Sequence, residues 1–303
     1  MPWIVPAIIF LCGALLTWMI GVVLFALSLL RPPRMTDAKA LAVLGRLVPS
    51  DLGLAFESID FHVRDQATGG AKLRIAGWWM PLPKSPRTVV ILHGFADAKV
   101  GSIAWAPLWQ QLGFNVLTLD LRGHGESGGT YSTAGFYERY DISQVIDELR
   151  ATRPEATRQV VLFGLSLGAA VASATAAIRD DLSAVVLDSP FTDYRRAVRV
   201  HARRRRLPGP FVAVPALKLA EWITGGDSDE VKPAATIPQI RCPVLILAGD
   251  EDPFCTPEDL EVFSPHAPVH VTLNSGHLYS YINDPGKYKQ LIAEFIERVE
   301  SAV

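Results

Sequence analysis

Val160-Val161-Leu162-Phe163-Gly164-Leu165-Ser166-Leu167-Gly168, followed by the small-residue run Ala169 to Ile178, is the stretch that decides the fold. It reads as strand, sharp turn and helix. Gly164 and Gly168 lack the Cβ atoms that would keep neighbouring elements apart, so the chain can turn tightly with Ser166 at a strained apex. The hydroxyl is then presented to solvent or a substrate. The amide of Leu167, at the start of a helix, points to where negative charge would develop. Five residues of this kind recur by chance, so the surrounding pattern has to carry the reading.

Outward from that turn, short continuous apolar runs recur at Val89–Leu92, Val116–Leu119, Val185–Leu187, Val244–Ala248 and Val269–Leu273. Separated by helical stretches, they have the character of buried strands in a parallel sheet. Phe56–Val63 and Lys72–Trp79 instead interleave charged and apolar residues around Thr68-Gly69-Gly70, the pattern of an antiparallel pair. The fold class is α/β, a mostly parallel, doubly wound sheet. The core divides into 56–190 and 240–303. Between these, 191–239 is too long for one crossover helix and is expected to form a small helical lid. It is rich in arginine (Arg195, Arg196, Arg199 and Arg203 to Arg206), and after Pro208-Gly209-Pro210 it becomes apolar, with Phe211, Val212, Val214, Leu217 and Trp222. Such a charge run ordinarily solvates a helix face. Contact with anionic lipid headgroups or an anionic substrate group is the other reading, and both stay open.

The first 30 of the 303 residues carry no charged side chain. Pro6 to Leu30 would reach about 37 Å as a helix, enough to cross a bilayer with some tilt. The stretch has no polar face and lacks the basic start of a cleaved signal peptide, so 1–34 is expected to be a retained transmembrane anchor. Trp3 fits an interfacial position and Trp18 a lipid-facing one. Arg31, Arg34, Lys39 and Arg46 follow the span, which by the positive-inside rule favours the cytoplasm for the rest of the chain; a periplasmic or extracellular placement is the alternative, because large domains can translocate regardless of nearby charge. Pro32-Pro33 ends the helix, and 35–55 is a linker in which Met35–Ser50 is expected to be an amphipathic helix. A net charge of -2 argues against nucleic acid as a partner. Cys12, Cys242 and Cys255 show no metal-ligand spacing and are read as ordinary thiols, with only Cys242 and Cys255 able to pair. No cofactor or metal is expected, and oligomeric state is not readable.

A serine nucleophile needs a base, and the base needs an acid to fix its tautomer. Of seven histidines, His277 in Asn274-Ser275-Gly276-His277 follows the last strand, at the sheet edge where Ser166 lies. For the acid, Gly249-Asp250-Glu251-Asp252-Pro253 follows another strand end. Asp252 is preferred, because the first residues after a strand more often close the turn, with Asp250 and Asp188 as rivals. His93-Gly94-Phe95, after Val89–Leu92, can aim the Phe95 amide at an oxyanion beside that of Leu167.

Taken together, Gly164-Leu-Ser-Leu-Gly168, Asp252 and His277 in that order, His93-Gly94, and Asp120-Leu-Arg-Gly-His-Gly-Glu-Ser127 resemble the α/β hydrolases. Within them the chain is similar to serine aminopeptidase-like and monoglyceride-lipase-like members, above all small-lidded proteins with an N-terminal membrane anchor. The resemblance covers Phe56 to Val299. It implies Ser166 as nucleophile, Asp252 as acid, His277 as base and the Phe95 and Leu167 amides as oxyanion hole, with His124 and Arg122 bracing a loop. The expected activity is metal-independent hydrolysis of carboxylic esters or thioesters of acyl or lipid-like small molecules at a bilayer. An aminopeptidase or amidase using Glu251 or Glu126 for a substrate amine is the alternative, and a non-catalytic binding protein of the same fold the third reading.

Overall fold

The computed structural model describes residues 3–301. Eight strands form one sheet: β1 (Glu57–Asp65), β2 (Ala71–Met80), β3 (Arg87–Leu92), β4 (Asn115–Leu119), β5 (Gln159–Leu165), β6 (Ala184–Asp188), β7 (Val244–Gly249) and β8 (Val269–Thr272). Their spatial order is β1-β2-β4-β3-β5-β6-β7-β8. β1 pairs with β2, and β2 with β4, antiparallel. All later pairings are parallel. The sheet is buried on both faces because alternate residues of one strand feed different cores. Val90 and Leu92 of β3 pack with Ile142, Val145 and Leu149 of the helix Glu138–Thr152. Val89 and Ile91 pack with Trp109, Ile292 and Phe295 on the other side. This two-sided demand is why the central strands read as unbroken apolar runs.

The last strand departs from that expectation. β8 is the sheet edge: Val269, His270 and Thr272 are only partly buried, and Val271 within it and Leu273 beyond it are exposed. An edge strand has a neighbour on one side only, so its apolar residues are covered incompletely. The linker helix is also shorter than its pattern suggested. It spans Asp37–Leu44, opening where the Thr36 hydroxyl accepts from the Lys39 amide and closing at Gly45 in the left-handed region. Pro49–Leu52 forms a separate 3-10 turn.

The N-terminal helix Ile4–Leu30 is apolar and long enough to cross a membrane. Residues 4–20 are all exposed. Its last turns are not: Val22, Phe25, Ala26, Leu29 and Leu30 are buried against the segment joining β6 and β7. That insert contains helices Tyr194–Arg204 and Gly209–Thr224. Its Val198, Ala202, Val212, Ala213, Ala216 and Ala220 supply the opposing face. Small alanines let the backbones approach closely. Trp18, expected to face lipid, instead donates its indole N–H to the Phe211 carbonyl at 2.9 Å. An isolated indole N–H in hydrocarbon would go unpaired, and the insert provides its acceptor. The helix and the insert are therefore one packed unit.

Candidate active site

Ser166 caps the end of β5 with φ 54° and ψ -110°, and the helix Leu167–Ala177 begins at the next residue. A non-glycine residue in this region is strained, and here the surroundings hold it. A Cβ on Gly164 would lie 2.3 Å from the Gly168 carbonyl oxygen, and one on Gly168 would lie 2.0 Å from that of Leu92. Both glycines are thus required by close approach of backbone. The Ser166 amide donates to the Asp188 carbonyl at 2.9 Å, tying the turn to β6.

His277 reaches the same point from the loop after β8. Its Nε2 lies 2.8 Å from Ser166 Oγ, and its Nδ1 lies 2.7 Å from Asp252 Oδ2. Asp252 is buried, and its other oxygen accepts the amides of Phe254 and Cys255 at 2.8 and 3.3 Å. The two loops are laced together: the Glu251 amide donates to Ser275 O at 2.9 Å and the Ser275 amide to Asp250 Oδ1 at 3.1 Å. Asp250 closes this turn, and the backbone amide from Ser275 holds its carboxyl below the usual range. Asp188 makes no bond to His277. It accepts the hydroxyls of Tyr288 and Ser189 at 2.6 and 3.0 Å, and burial pushes it up to about 6. Of the three aspartates weighed, only Asp252 holds the histidine. The row can pass a proton from Ser166 to His277 while Asp252 fixes the imidazole.

Phe95 and Leu167 line the cavity into which Ser166 opens. Neither amide donates to another backbone carbonyl among the described residues outside regular elements, so both remain available as donors. The cavity holds about 230 Å³ and is further lined by Phe191, His201, Arg204 and Phe254. Phe254 packs 4.7 Å from the His277 ring and 5.0 Å from His201, centroid to centroid. Burial, reinforced by Arg205 and Arg204, lowers His201 to about 4, so it is neutral at pH 7. Asp97 also lines the cavity, and burial raises it to about 6. Sequence reasoning singled out none of Asp97, His201 and Phe254. Phe254 had a usable signal, since it lies two residues beyond Asp252 in the same loop. His201 and Asp97 had none.

The remaining motif residues brace loops. His93 Nε2 accepts the Leu121 amide at 3.0 Å while Nδ1 bonds Gly94 O at 2.7 Å, and burial with His124 alongside lowers it to about 3, which keeps it neutral. His124 bonds Arg122 O, and Arg122 is clamped by Asp141 at 2.6 and 2.7 Å. Asp120 accepts the Lys99 amide and ammonium and the Glu126 amide. Glu126 pairs with Lys99, and neither Glu126 nor Glu251 lines the cavity. Cys12, Cys242 and Cys255 are free thiols. Among the described residues, no three His, Cys, Asp or Glu side chains cluster as metal ligands.

A parallel sheet whose serine elbow, acid loop and histidine loop meet at the strand carboxyl ends defines an α/β hydrolase. The model of the Alpha/beta hydrolase family matches residues 89–290, and the chain belongs to that family. Protein YqkD of Bacillus subtilis, itself uncharacterized, is 30% identical over 241 residues, covering 75% of this chain and 77% of its own. Lysophosphatidylserine lipase ABHD12 of Macaca fascicularis is 29% identical over 245 residues, covering 72% of this chain and 58% of its own. Among solved structures, an esterase of Pyrococcus furiosus superposes with a TM-score of 0.72 at 24% identity, covering 89% of this chain and 98% of that one. A bacterial membrane phospholipase A gives 0.59 at 21% identity over 96% and 98%. These last two likenesses are of fold.

Proposed function

We propose that the chain is a membrane-anchored serine hydrolase that cleaves carboxylic esters or thioesters of lipid-like or acyl substrates through a Ser166-His277-Asp252 triad. The observation that carries this reading is the pair of bonds on His277, 2.8 Å to Ser166 Oγ and 2.7 Å to Asp252 Oδ2. Ser166 Oγ attacks the carbonyl carbon as its proton passes to His277 Nε2, and the amides of Phe95 and Leu167 receive the oxyanion. The tetrahedral intermediate collapses, His277 returns the proton to the departing oxygen or sulfur, and an acyl-Ser166 remains. Water then repeats the sequence, losing its proton to His277, and the acid is released with Ser166 restored. Asp252 stays ionised, orienting the imidazole and offsetting its positive charge.

The apolar helix Ile4–Leu30 and the similarity to a lysophosphatidylserine lipase support a lipid ester over a soluble one. The insert then acts as a lid, and Arg31 and Arg34 after the span favour a cytoplasmic catalytic domain. The test is labelling of intact membranes with a fluorophosphonate. Wild type is expected to label and Ser166→Ala to lose label and at least roughly 10³-fold in ester turnover. Equal labelling of the two overturns the nucleophile. Protease protection in sealed vesicles reads the topology, and cleavage of the C-terminal domain from the outer side only overturns the cytoplasmic placement.

A further inference from the structure

The seven arginines of the insert do not share one role. Arg195 is paired with Asp229, and Arg196 with Asp259 at 2.9 Å and Thr256 at 3.1 Å. Arg205 turns to the N-terminal helix, donating to Ser28 Oγ at 3.0 Å with its guanidinium over Phe25. Arg204 goes the other way. It lines the cavity of Ser166, with its guanidinium carbon 4.9 Å from the Phe254 ring centroid, and no carboxylate among the described residues pairs with it. Phe254 in turn packs against His277, so one ring separates this cation from the base.

The other charged or titratable groups facing the cavity do not neutralise it. His201 is neutral. Asp97 has its carboxyl against Gly101, where an added Cβ would lie 2.1 Å from Oδ2, and its neighbouring cations are Lys39 and Arg46. An arginine held by stacking, with its hydrogen-bonding edge unpaired at the mouth of a cavity, is disposed for bidentate capture of an oxyanion. We propose that Arg204 is a specificity-determining residue that receives an anionic group, phosphate or carboxylate, carried by the ester substrate itself. The proposal rests on the hydrolase reading and narrows it to anionic esters.

The test uses the full-length protein in neutral maltoside micelles with two substrates of equal acyl length, 1-octanoylglycerol and 1-octanoylglycerol 3-phosphate. The readout is the ratio of kcat/KM, anionic over neutral. Wild type is expected to favour the phosphate ester. Arg204→Gln lowers the ratio roughly tenfold, chiefly through KM, as loss of a charge-assisted contact predicts. Arg204→Lys recovers part of it, and Arg203→Gln, altered outside the cavity, does not change it. A ratio unchanged in Arg204→Gln overturns the proposal. Neutral nanodiscs with and without phosphatidylglycerol separate the anion's source: an Arg204→Gln effect on the neutral substrate seen only with phosphatidylglycerol assigns Arg204 to bilayer headgroups and also overturns it. Calorimetric binding of hexyl phosphate needs no turnover. Binding about tenfold tighter to wild type than to Arg204→Gln supports the role even if no ester is cleaved, an outcome that would count against the hydrolase reading alone, and equal binding defeats it.

Discussion

At the scale of single residues, Asp250 and Asp252 divide the work of one loop by what each can reach. Asp250 accepts a backbone amide from Ser275, whereas Asp252 is buried with one oxygen on two amides and the other on His277. Asp252→Asn is therefore expected to lower kcat about 10³- to 10⁴-fold with the fold retained, because the amide can stabilise the wrong imidazole tautomer. Asp250→Ala should leave kcat within a few-fold and show instead as a lower unfolding midpoint. Comparable losses of kcat in both variants would reverse the assignment. The difference in reach follows the sequence expectation that the residue next to a strand end closes the turn. Asp97 was not legible, because its significance comes from burial beside Ser166. Burial raises it to about 6, so the folded protein holds this proton more tightly than the unfolded chain. Both states carry the proton below the ordinary carboxylate range, and stability falls as pH rises from about 4 through about 6, staying lower above. Asp97→Asn removes that penalty, and chemical denaturation should find it gaining up to about 3 kcal/mol on wild type between pH 4 and pH 8, about 1.4 kcal/mol for each unit of the shift. A constant difference across that range would show that the carboxyl is not shifted.

At the scale of elements, the strands were readable because two-sided burial writes itself as continuous apolar runs, and β8 drifted from the pattern because it is an edge. The N-terminal helix was readable as a long apolar helix, yet nothing in its composition distinguishes its exposed residues from Val22, Phe25 and Leu29, which face the insert. Alanine is the better clue, seen only in retrospect: Ala26, Ala202, Ala213 and Ala216 meet where the helices pack. Ala216 is wholly buried, so Ala216→Leu should overpack this contact and cost about 1–3 kcal/mol. Limited proteolysis reads the outcome, with cleavage in 205–210 accelerated before the sheet domain is touched. Arg34 adds a second lesson. Counted as a charge that orients the span, it also donates to the carbonyls of His124, Gly125, Ser127 and Gly129 at 2.6 to 3.1 Å. A basic residue after a span can thus have a structural reason to be there, one that only the folded loop reveals.

At the scale of the whole molecule, one geometric sequence links the N-terminal helix to the chemistry: the helix packs on the insert, the insert carries His201 and Arg204, and these line the cavity of Ser166. The sheet and its loops were foreseeable from the pattern of runs and turns, but this linkage was not, because it depends on which faces of three helices meet. It also fixes a length. The exposed stretch Ile4–Ile20 would measure about 25 Å as a helix, somewhat less than the roughly 30 Å of an average hydrocarbon core. With this helix read as a span, residues 22–30 cannot slide inward to relieve the mismatch, because they are held in the protein. A thicker host bilayer must then thin locally or pull on the insert. Turnover of one ester in nanodiscs of phosphatidylcholines differing only in acyl length should fall as the bilayer thickens, with Ala216→Leu blunting the dependence, and a flat profile in wild type would show that the helix is a passive tether. A contact of a few alanines would in that case make hydrophobic thickness a variable that this hydrolase reads.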